Sequence, residues 1–363
     1  MTYKLALGFA VLVTVMVLAV SCGYLEEDLE YQRAAPQTLV EKLEWLNKNA
    51  RNNKEYVFTV NGEESLDHCY LDCNYKTNVT VRLQGGTVTL SGSGSMFTVK
   101  SGITLILDNI ILKGSSNNKD ALVEVYGGKL EMRTGSVITG NSNTSSIWNY
   151  GGGVYVHSEG TFTMSGGKIS GNTASRGGGV YVSCKGGLFN GMEAGTFTMS
   201  GGEISGNAAV SGGGVYVDRN SNYYKVDEAI FTMSGGKISG NTASSSSSFS
   251  TPYGGGVYVG DGIFTMSGGE IYGNTAYSPS LFATSYGGGV YVGSEGTFTK
   301  IGGGSIYGYT GDAASNVVIL SGAVLSNRGH AVYVSDSKRR ESTAGPIVNL
   351  DSNVEGAAGG WEN

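Results

Sequence analysis

The segment FTMSGGKISGN at residues 162–172 decides the fold, because close copies of it follow along the chain. The copies occupy residues 197–207, 231–241 and 264–274 and start 33 to 35 residues apart, and a decayed copy begins at Phe298. Repetition at a fixed period of ~20–50 residues is typical of proteins that stack one structural unit upon itself. We therefore expect a solenoid or a propeller.

A second repeated element, GGGVYV, lies between the copies and helps to decide between a solenoid and a propeller. It begins at Gly151, Gly177, Gly212, Gly254 and Gly287, with the variant GHAVYV at Gly329. In VYV, FTM and KIS, every second residue is apolar, and a period of two indicates strands with one buried face. The shortest unit, residues 151–176, fits three such strands into 26 residues. A propeller blade needs ~40–50 residues, and each glycine would destabilise a helical repeat by ~1 kcal/mol.

The sequence therefore predicts an all-β fold: a single right-handed parallel β-helix with a short N-terminal capping α-helix. The β-helix spans residues 55–363 and has roughly ten rungs. Its interior is expected to contain five apolar side chains of each unit, which in the shortest one are Val154, Val156, Phe162, Met164 and Ile169. The segments that begin at Phe97, Asn316 and Pro346 are interpreted as further, worn copies of the FTM element.

Two columns of polar residues follow from stacking the copies in register. A corner stack is predicted for Asn172, Asn207, Asn241 and Asn274. Asparagine suits a corner because it tolerates the left-handed conformation and its amide can bridge neighbouring rungs. A register ladder of alternating charge is predicted for Lys168, Glu203, Lys237 and Glu270, since a slip by one rung would bring like charges together. The glycine pair before each ladder residue is expected where the backbone needs positive φ.

The N-terminus has the pattern of an export signal. Residues 1–21 contain Lys4 and then an uncharged apolar run that is shorter than the ~20 residues of a membrane span. The run ends in LAVSCG, which resembles the lipobox of bacterial lipoproteins, so Cys22 is the predicted lipidation site. Ala19 and Ser21 also fit an ordinary signal-peptidase site, which leaves that alternative open. Residues 22–37 are then a tether, and residues 38–50 form the capping helix, which Thr38 and Glu41 begin as a capping box.

Composition excludes several classes of protein. The net charge is −6 and no basic stripe is present, so we expect no nucleic-acid partner. Cys69, Cys73 and Cys184 do not form an even disulfide framework, although the first two could pair locally. His68, His157 and His330 fall in unrelated repeats, and the sequence contains no calcium-loop or zinc motif. We therefore expect no metal and no cofactor.

The GGGVYV and ISGN elements at residues 151–156 and 169–172, with their downstream counterparts, resemble the GGA(I/V) and FxxN elements of the polymorphic outer-membrane protein family. Ile169 stands where that family has phenylalanine. More broadly, the chain resembles bacterial repeat lipoproteins and the pectin-lyase-like superfamily of right-handed β-helices. The resemblance implies a β-helical adhesin at the outer membrane or cell surface, held by its lipid anchor, with a host or envelope protein or a glycan as partner.

One column of aromatic residues is the candidate binding surface. The central tyrosine of each VYV element should face outward, and a strip of exposed rings could stack on sugars or pack against a protein. These residues are Tyr155, Tyr181, Tyr216, Tyr258, Tyr291 and Tyr333. The alternative interpretation is that the rings stack only on one another. The sequence leaves open the oligomeric state and which side of the envelope the protein faces.

The alternative function is a carbohydrate-active enzyme, a lyase or hydrolase, because this fold class contains such enzymes. Glu203 and Glu270 would lie two rungs apart, roughly 9.6 Å by the strand spacing, which suits a pair of catalytic carboxylates. Lys237 lies between them, however, and would keep both carboxylates ionised, whereas a general acid needs a raised pKa. We therefore predict that the protein is not an enzyme.

Overall fold

The computed structural model describes residues 38–143, 149–157, 159–184, 194–219, 228–247, 249–301, 303–309, 311–325 and 329–335, and the backbone of residues 348 and 349. Within these residues the expected all-β parallel β-helix is confirmed, with an α-helix at its N-terminal end. The predicted signal peptide, the tether and the lipidated Cys22 lie outside the described residues.

The largest sheet has 17 strands and contains two columns that run side by side along the solenoid. The first, called here the Phe column, consists of Glu55–Thr59, Val79–Gln84, Ile103–Asp108, Lys129–Met132, Thr161–Met164, Thr196–Met199, Ala229–Ser239, Gly262–Tyr272, Thr297–Lys300 and Val348–Asn349. The second, the Ile column, consists of Glu63–Leu66, Thr87–Leu90, Ile111–Lys113, Val137–Thr139, Lys168–Ser170, Glu203–Ser205 and Ser305–Ile306. The two longest strands, Ala229–Ser239 and Gly262–Tyr272, pass through both columns and join them.

Two further sheets complete the coil. The Tyr sheet has nine strands: Cys69–Leu71, Phe97–Lys100, Val123–Tyr126, Val154–Val156, Val180–Ser183, Val215–Asp218, Val257–Val259, Val290–Val292 and Val332–Val334. The short sheet has five strands: Ala208–Ala209, Thr242–Ser244, Thr275–Ser278, Val317–Leu320 and Ala323–Val324. Strand pairing is parallel throughout the described chain except between Val317–Leu320 and Ala323–Val324, which are antiparallel.

Equivalent residues of successive repeats lie opposite each other in neighbouring strands. Phe162 lies opposite Phe197 and Phe197 opposite Phe231, and the phenyl rings of neighbouring copies stack with centroids 4.6 and 4.7 Å apart. This spacing is that of hydrogen-bonded strands. The interior residues predicted from the shortest unit, Val154, Val156, Phe162, Met164 and Ile169, are all fully buried in one continuous core.

For two of the degenerate copies, the predicted assignment to the FTM element is wrong. Phe97 pairs with Val123 in the Tyr sheet, so it occupies the first valine position of VYV, and Leu105 occupies the FTM position of that coil instead. Val317–Leu320, which follows Asn316, pairs with Thr275–Ser278 in the short sheet. Alternating apolar residues indicate a strand but do not distinguish the faces of a coil once the glycine signature has changed. The copy near Pro346 does lie in the Phe column, where Val348 pairs with Phe298.

The helix Leu39–Asn49 lies against the first coil. Thr38 and Glu41 form the capping box, in which the Thr38 hydroxyl accepts from the Glu41 backbone and the Glu41 carboxylate accepts from the Thr38 backbone. Leu39, Leu43 and Leu46 are buried in the same core cluster as the interior of the solenoid. The helix therefore covers apolar surface that an open end of the solenoid would expose.

Candidate functional site

The asparagine corner lies directly after the Ile column and is fully buried. At Asn207, Asn241 and Asn274, the Oδ1 atom accepts from both the backbone N–H and the side-chain amide of the asparagine one coil earlier, as Asn207 does from Asn172 at 3.0 and 3.1 Å. Each Nδ2 also donates to a carbonyl of the coil before it, as Asn207 does to Ile169 at 2.9 Å. The corner stack therefore links consecutive coils through side chains as well as through the sheets.

The stack is longer than the repeat letters suggested. Asn141 donates its backbone N–H to Asn172, and Asn118 donates to Asn141, so the stack begins two coils before the first intact FTM copy. At the other end Asn274 donates to Asn316. The asparagines do not adopt the left-handed conformation expected for them; the preceding glycines do, with φ of +65° at Gly171. In the sequence, these additional members could have been recognised from a GN pair, as at Asn141, or from an asparagine at the equivalent repeat position, as at Asn316.

The glycine pair between the Phe and Ile columns forms a tight corner. The second glycine of the pair has positive φ, for example +81° at Gly202, while the first, Gly201, does not. A Cβ at Gly201 would lie 2.4 Å from the Ser165 carbonyl oxygen of the coil before it. The expectation of positive φ thus holds for one glycine of each pair, and close backbone approach accounts for the other.

The charge ladder lies beside this corner. Lys168 forms an ion pair with Glu203 at 3.1 Å, and Lys237 forms one with Glu270 at 3.3 Å. Glu203 and Lys237 are strand neighbours without a direct ion pair between them. A hydrogen bond from Ser205 and then the contact with Lys168 lower the pKa of Glu203, and the hydrogen bond to Glu270 raises the pKa of Lys237. Both shifts favour the charged forms, and all four side chains are partly exposed.

A shallow groove runs along the ladder. Its floor consists of the corner glycines Gly167, Gly202, Gly235, Gly236 and Gly269, and its rim contains Glu203, Lys237 and Glu270. Because the floor has no side chains, the peptide backbone of four successive coils lines the groove. The groove offers charges of both signs in alternation. The lowered pKa of Glu203 is the opposite of what a general acid requires.

The tyrosine column is largely buried, which corrects the expectation of an exposed strip. Tyr155, Tyr181, Tyr216 and Tyr291 are buried, and Tyr258 and Tyr333 are partly exposed. The rings lie outside the main core, in a second apolar cluster. From Tyr181 onward neighbouring rings stack, with centroids 5.1 Å apart for Tyr181 and Tyr216 and 4.4 Å apart for Tyr216 and Tyr258, whereas Tyr155 meets Tyr181 edge-on. The arrangement is the mutual stacking that the sequence left open as the alternative.

A second column of residues covers the tyrosines, and sequence reasoning missed it. These residues lie immediately before the GGG element and pair with one another from coil to coil: Tyr150, Arg176, Ser211, Tyr253 and Tyr286. Tyr150 stacks on Tyr181 with centroids 4.8 Å apart, and Tyr253 lies 4.5 Å from Tyr291. The sequence did contain an indication of this column, because three of its five positions are tyrosine.

The tyrosine hydroxyls differ in their hydrogen bonds. The Tyr216 hydroxyl donates to Asp218 at 3.2 Å, and Ser183 donates to the Tyr155 hydroxyl at 3.2 Å. The Tyr181 hydroxyl is buried and has no hydrogen-bond partner among the described residues. Burial raises the pKa of Tyr155, Tyr181 and Tyr216 above the ordinary value, and burial also raises the pKa of Asp218.

The histidines do not converge. His157 packs on Tyr155 with centroids 3.6 Å apart, His68 meets Tyr70 edge-on at 4.4 Å, and the His330 Nδ1 accepts from the Val318 backbone at 3.1 Å. Across the described residues, no group of three or more histidine, cysteine or acidic side chains could hold a metal ion.

Cys69, Cys73 and Cys184 are buried, and Cys69 and Cys73 are free thiols that do not pair with each other. Burial is the largest cause of the raised pKa values of Cys69, about 12, and Cys73, about 11, so both thiols are protonated at neutral pH. Within the described ranges, no helix has the length and apolar character that a membrane crossing requires.

Comparison of the chain with protein-family models, with curated proteins and with solved structures finds no match. The class of the protein is therefore defined by its fold, a repeat-built parallel β-helix with a helix at its N-terminal end.

Proposed function

We propose that this protein is a rod of the bacterial cell envelope or cell surface, with a structural and adhesive role, anchored through a lipidated Cys22. The observation that supports this function best is the even spread of its surface features. The charge ladder, the asparagine corner and the tyrosine stack each recur from coil to coil and do not converge on one point. An enzyme needs several groups gathered at one height of the solenoid.

The adhesive surface in this proposal is the outer side of the Phe column, because the tyrosines are covered. It presents half-buried threonines on successive coils, here called the threonine face: Thr161, Thr163, Thr196, Thr198, Thr232, Thr265, Thr297 and Thr299. Each threonine offers a methyl group and a hydroxyl that can donate and accept. On two of these coils Ile230 and Ile263 take the place of the first threonine, so the face is uncharged throughout these coils. An uncharged, repeating array of this kind suits a protein or glycan that is itself repetitive.

Attachment of cells that express the full chain tests the adhesive role. The double variant Thr198→Lys and Thr232→Lys places two long cations on the threonine face and should abolish attachment to host cells or immobilised glycans. The matched control, Thr242→Lys with Thr275→Lys, makes the same change in the short sheet, where both threonines are also half-buried, and should leave attachment intact. Equal attachment by both variants at equal surface amount would refute adhesion through this face.

The anchoring part of the proposal has a separate test. Mass spectrometry of the mature N-terminus should find a diacylglyceryl group on Cys22, and the Cys22→Ser variant should be released from the membrane fraction. Protease treatment of intact cells should degrade the wild-type rod if it faces outward. An unmodified Cys22 would remove the anchor from the proposal and leave the adhesive test unaffected.

A further inference from the structure

The order of charges in the ladder has a symmetry that plays no part in the contacts within a single chain. Along the axis the signs are plus at Lys168, minus at Glu203, plus at Lys237 and minus at Glu270. Reading the same four positions in reverse inverts every sign. A twofold axis perpendicular to the rod, midway between Glu203 and Lys237, would therefore place each charge opposite its complement on a second copy.

We propose that this face is a self-complementary interface through which two copies of the chain associate antiparallel. Lys168 of one copy would face Glu270 of the other, and Glu203 would face Lys237. Such a match requires evenly spaced coils, and the phenyl rings of the same four coils are 4.6, 4.7 and 4.6 Å apart. A contact that uses the same patch on both partners is the ordinary form of a twofold dimer.

The groove beside the ladder makes the approach of a second copy possible. Its floor is glycine backbone, so the floor itself carries no side chain that would hold two rods apart. The ladder side chains are 37 to 53% exposed and extend from the rim. A lysine has three donors and a carboxylate accepts at several positions, so each group can keep its partner within the chain and add one across the interface.

Charge complementarity also disfavours two competing arrangements. Two copies placed parallel, with Lys168 facing Lys168, bring like charges together at every coil. An antiparallel pair that slips by one coil does the same. Exposed ion pairs taken singly contribute only ~0.2–1 kcal/mol, so the interface depends on all four positions acting together and is expected to be reversible and sensitive to salt.

The test uses rearranged charges in the full chain, purified in a mild detergent that keeps its apolar N-terminus soluble. The double variant Lys237→Glu with Glu270→Lys gives the order plus, minus, minus, plus. It preserves an ion pair between positions 168 and 203 and another between positions 237 and 270, but it opposes like charges across the twofold axis. The quadruple variant, Lys168→Glu, Glu203→Lys, Lys237→Glu and Glu270→Lys, inverts all signs and remains self-complementary.

Sedimentation velocity over a range of protein concentrations gives the dissociation constant of each variant. The wild type and the quadruple variant should dimerise, while the double variant should bind itself more than about tenfold more weakly, a difference of ~1.4 kcal/mol. Circular dichroism and the melting temperature establish that all three chains are folded.

A wild type that stays monomeric up to its solubility limit would overturn the proposal, and so would a double variant that dimerises as well as the wild type. The adhesive role is measured on cells with threonine variants that leave the ladder intact, so either proposal can fail without the other.

Discussion

The Oδ1 atom of Asn207 accepts two hydrogen bonds from Asn172, one from its backbone N–H at 3.0 Å and one from its side-chain amide at 3.1 Å. The two residues are 35 positions apart in the chain and occupy the same place on consecutive coils. One side chain therefore satisfies a backbone donor that the turn at the corner leaves without a sheet partner. The repeat of asparagine in the sequence is a consequence of this contact.

Replacing Asn207 with alanine should lower the free energy of unfolding by ~3 kcal/mol. The substitution leaves the buried Asn172 backbone N–H without an acceptor and removes the amide that donates to Ile169, and each unsatisfied buried group costs ~1–3 kcal/mol. The control is Asn117→Ala at an exposed position, which should change stability by less than ~0.5 kcal/mol. Chemical denaturation measures both, and equal small effects would show that the corner stack contributes nothing.

Two glycines with similar φ should respond differently to alanine. Gly206 has φ of +63° and open space around a new Cβ, so Gly206→Ala should cost only the left-handed conformation, ~1–2 kcal/mol. Gly202 has φ of +81°, and its Cβ would meet Met164 Cε at 2.6 Å and the Gly166 oxygen at 2.8 Å. Gly202→Ala should therefore cost roughly 1–3 kcal/mol more. Melting curves of the two variants give the comparison, which fails if the losses are the same.

The covered tyrosines should also differ when their hydroxyls are removed. Tyr181→Phe deletes a buried hydroxyl that has no partner among the described residues, and should stabilise the protein by ~1 kcal/mol. Tyr216→Phe deletes the donor to the mostly buried Asp218 carboxylate and should destabilise it by ~1.5–3 kcal/mol. Urea denaturation should give opposite signs. A loss of stability in Tyr181→Phe would mean that its hydroxyl has a partner elsewhere in the chain.

Alkaline pH should unfold the tyrosine stack. Burial raises the pKa values of Tyr181, Tyr216 and Tyr258 above their ordinary value of 10.0, so the folded chain favours neutral phenols. This contribution to stability is complete below pH 10 and is lost as the pH rises through 10 toward the folded-state pKa values. The covered tyrosines should ionise after solvent-exposed phenols, and only together with the loss of strand structure. Tyrosinate absorbance recorded alongside circular dichroism should resolve two phases, whereas a single phase near 10 with intact strands contradicts the burial.

The intact repeats made the fold predictable, because identical residues at identical positions of each repeat leave few ways in which successive strands can pair. Phe162, Phe197 and Phe231 stack as the copies indicated, and the asparagine corner follows from the same register. Prediction failed where the glycine signature was missing. At Phe97 and Asn316 the alternation of apolar residues was visible, but only the pairing partners reveal which face of the coil each strand occupies.

The candidate binding surface could not be predicted in the same way. Alternation correctly places Tyr181 and Tyr216 outside the valine-lined core, in a separate cluster. It says nothing about what lies above them, and the covering residues Tyr150 and Tyr253 come from the segment before GGG, where the repeats vary most. The ion pairs of the charge ladder were easier to predict than the cover of the tyrosines, because strand register alone brings Lys168 beside Glu203.

Proximity labelling of neighbouring coils tests the central claim, that successive copies lie in register. Thr198 and Thr232 are register partners on the outer side of the Phe column, while Thr265 lies one coil further. Register partners are ~4.8 Å apart and the second pair about twice that. Cysteines at positions 198 and 232 should be joined rapidly by dibromobimane, which fluoresces when it bridges two adjacent thiols. Cysteines at 198 and 265 should give only the background of the single variants, and equal labelling of both pairs would contradict the stacked coil.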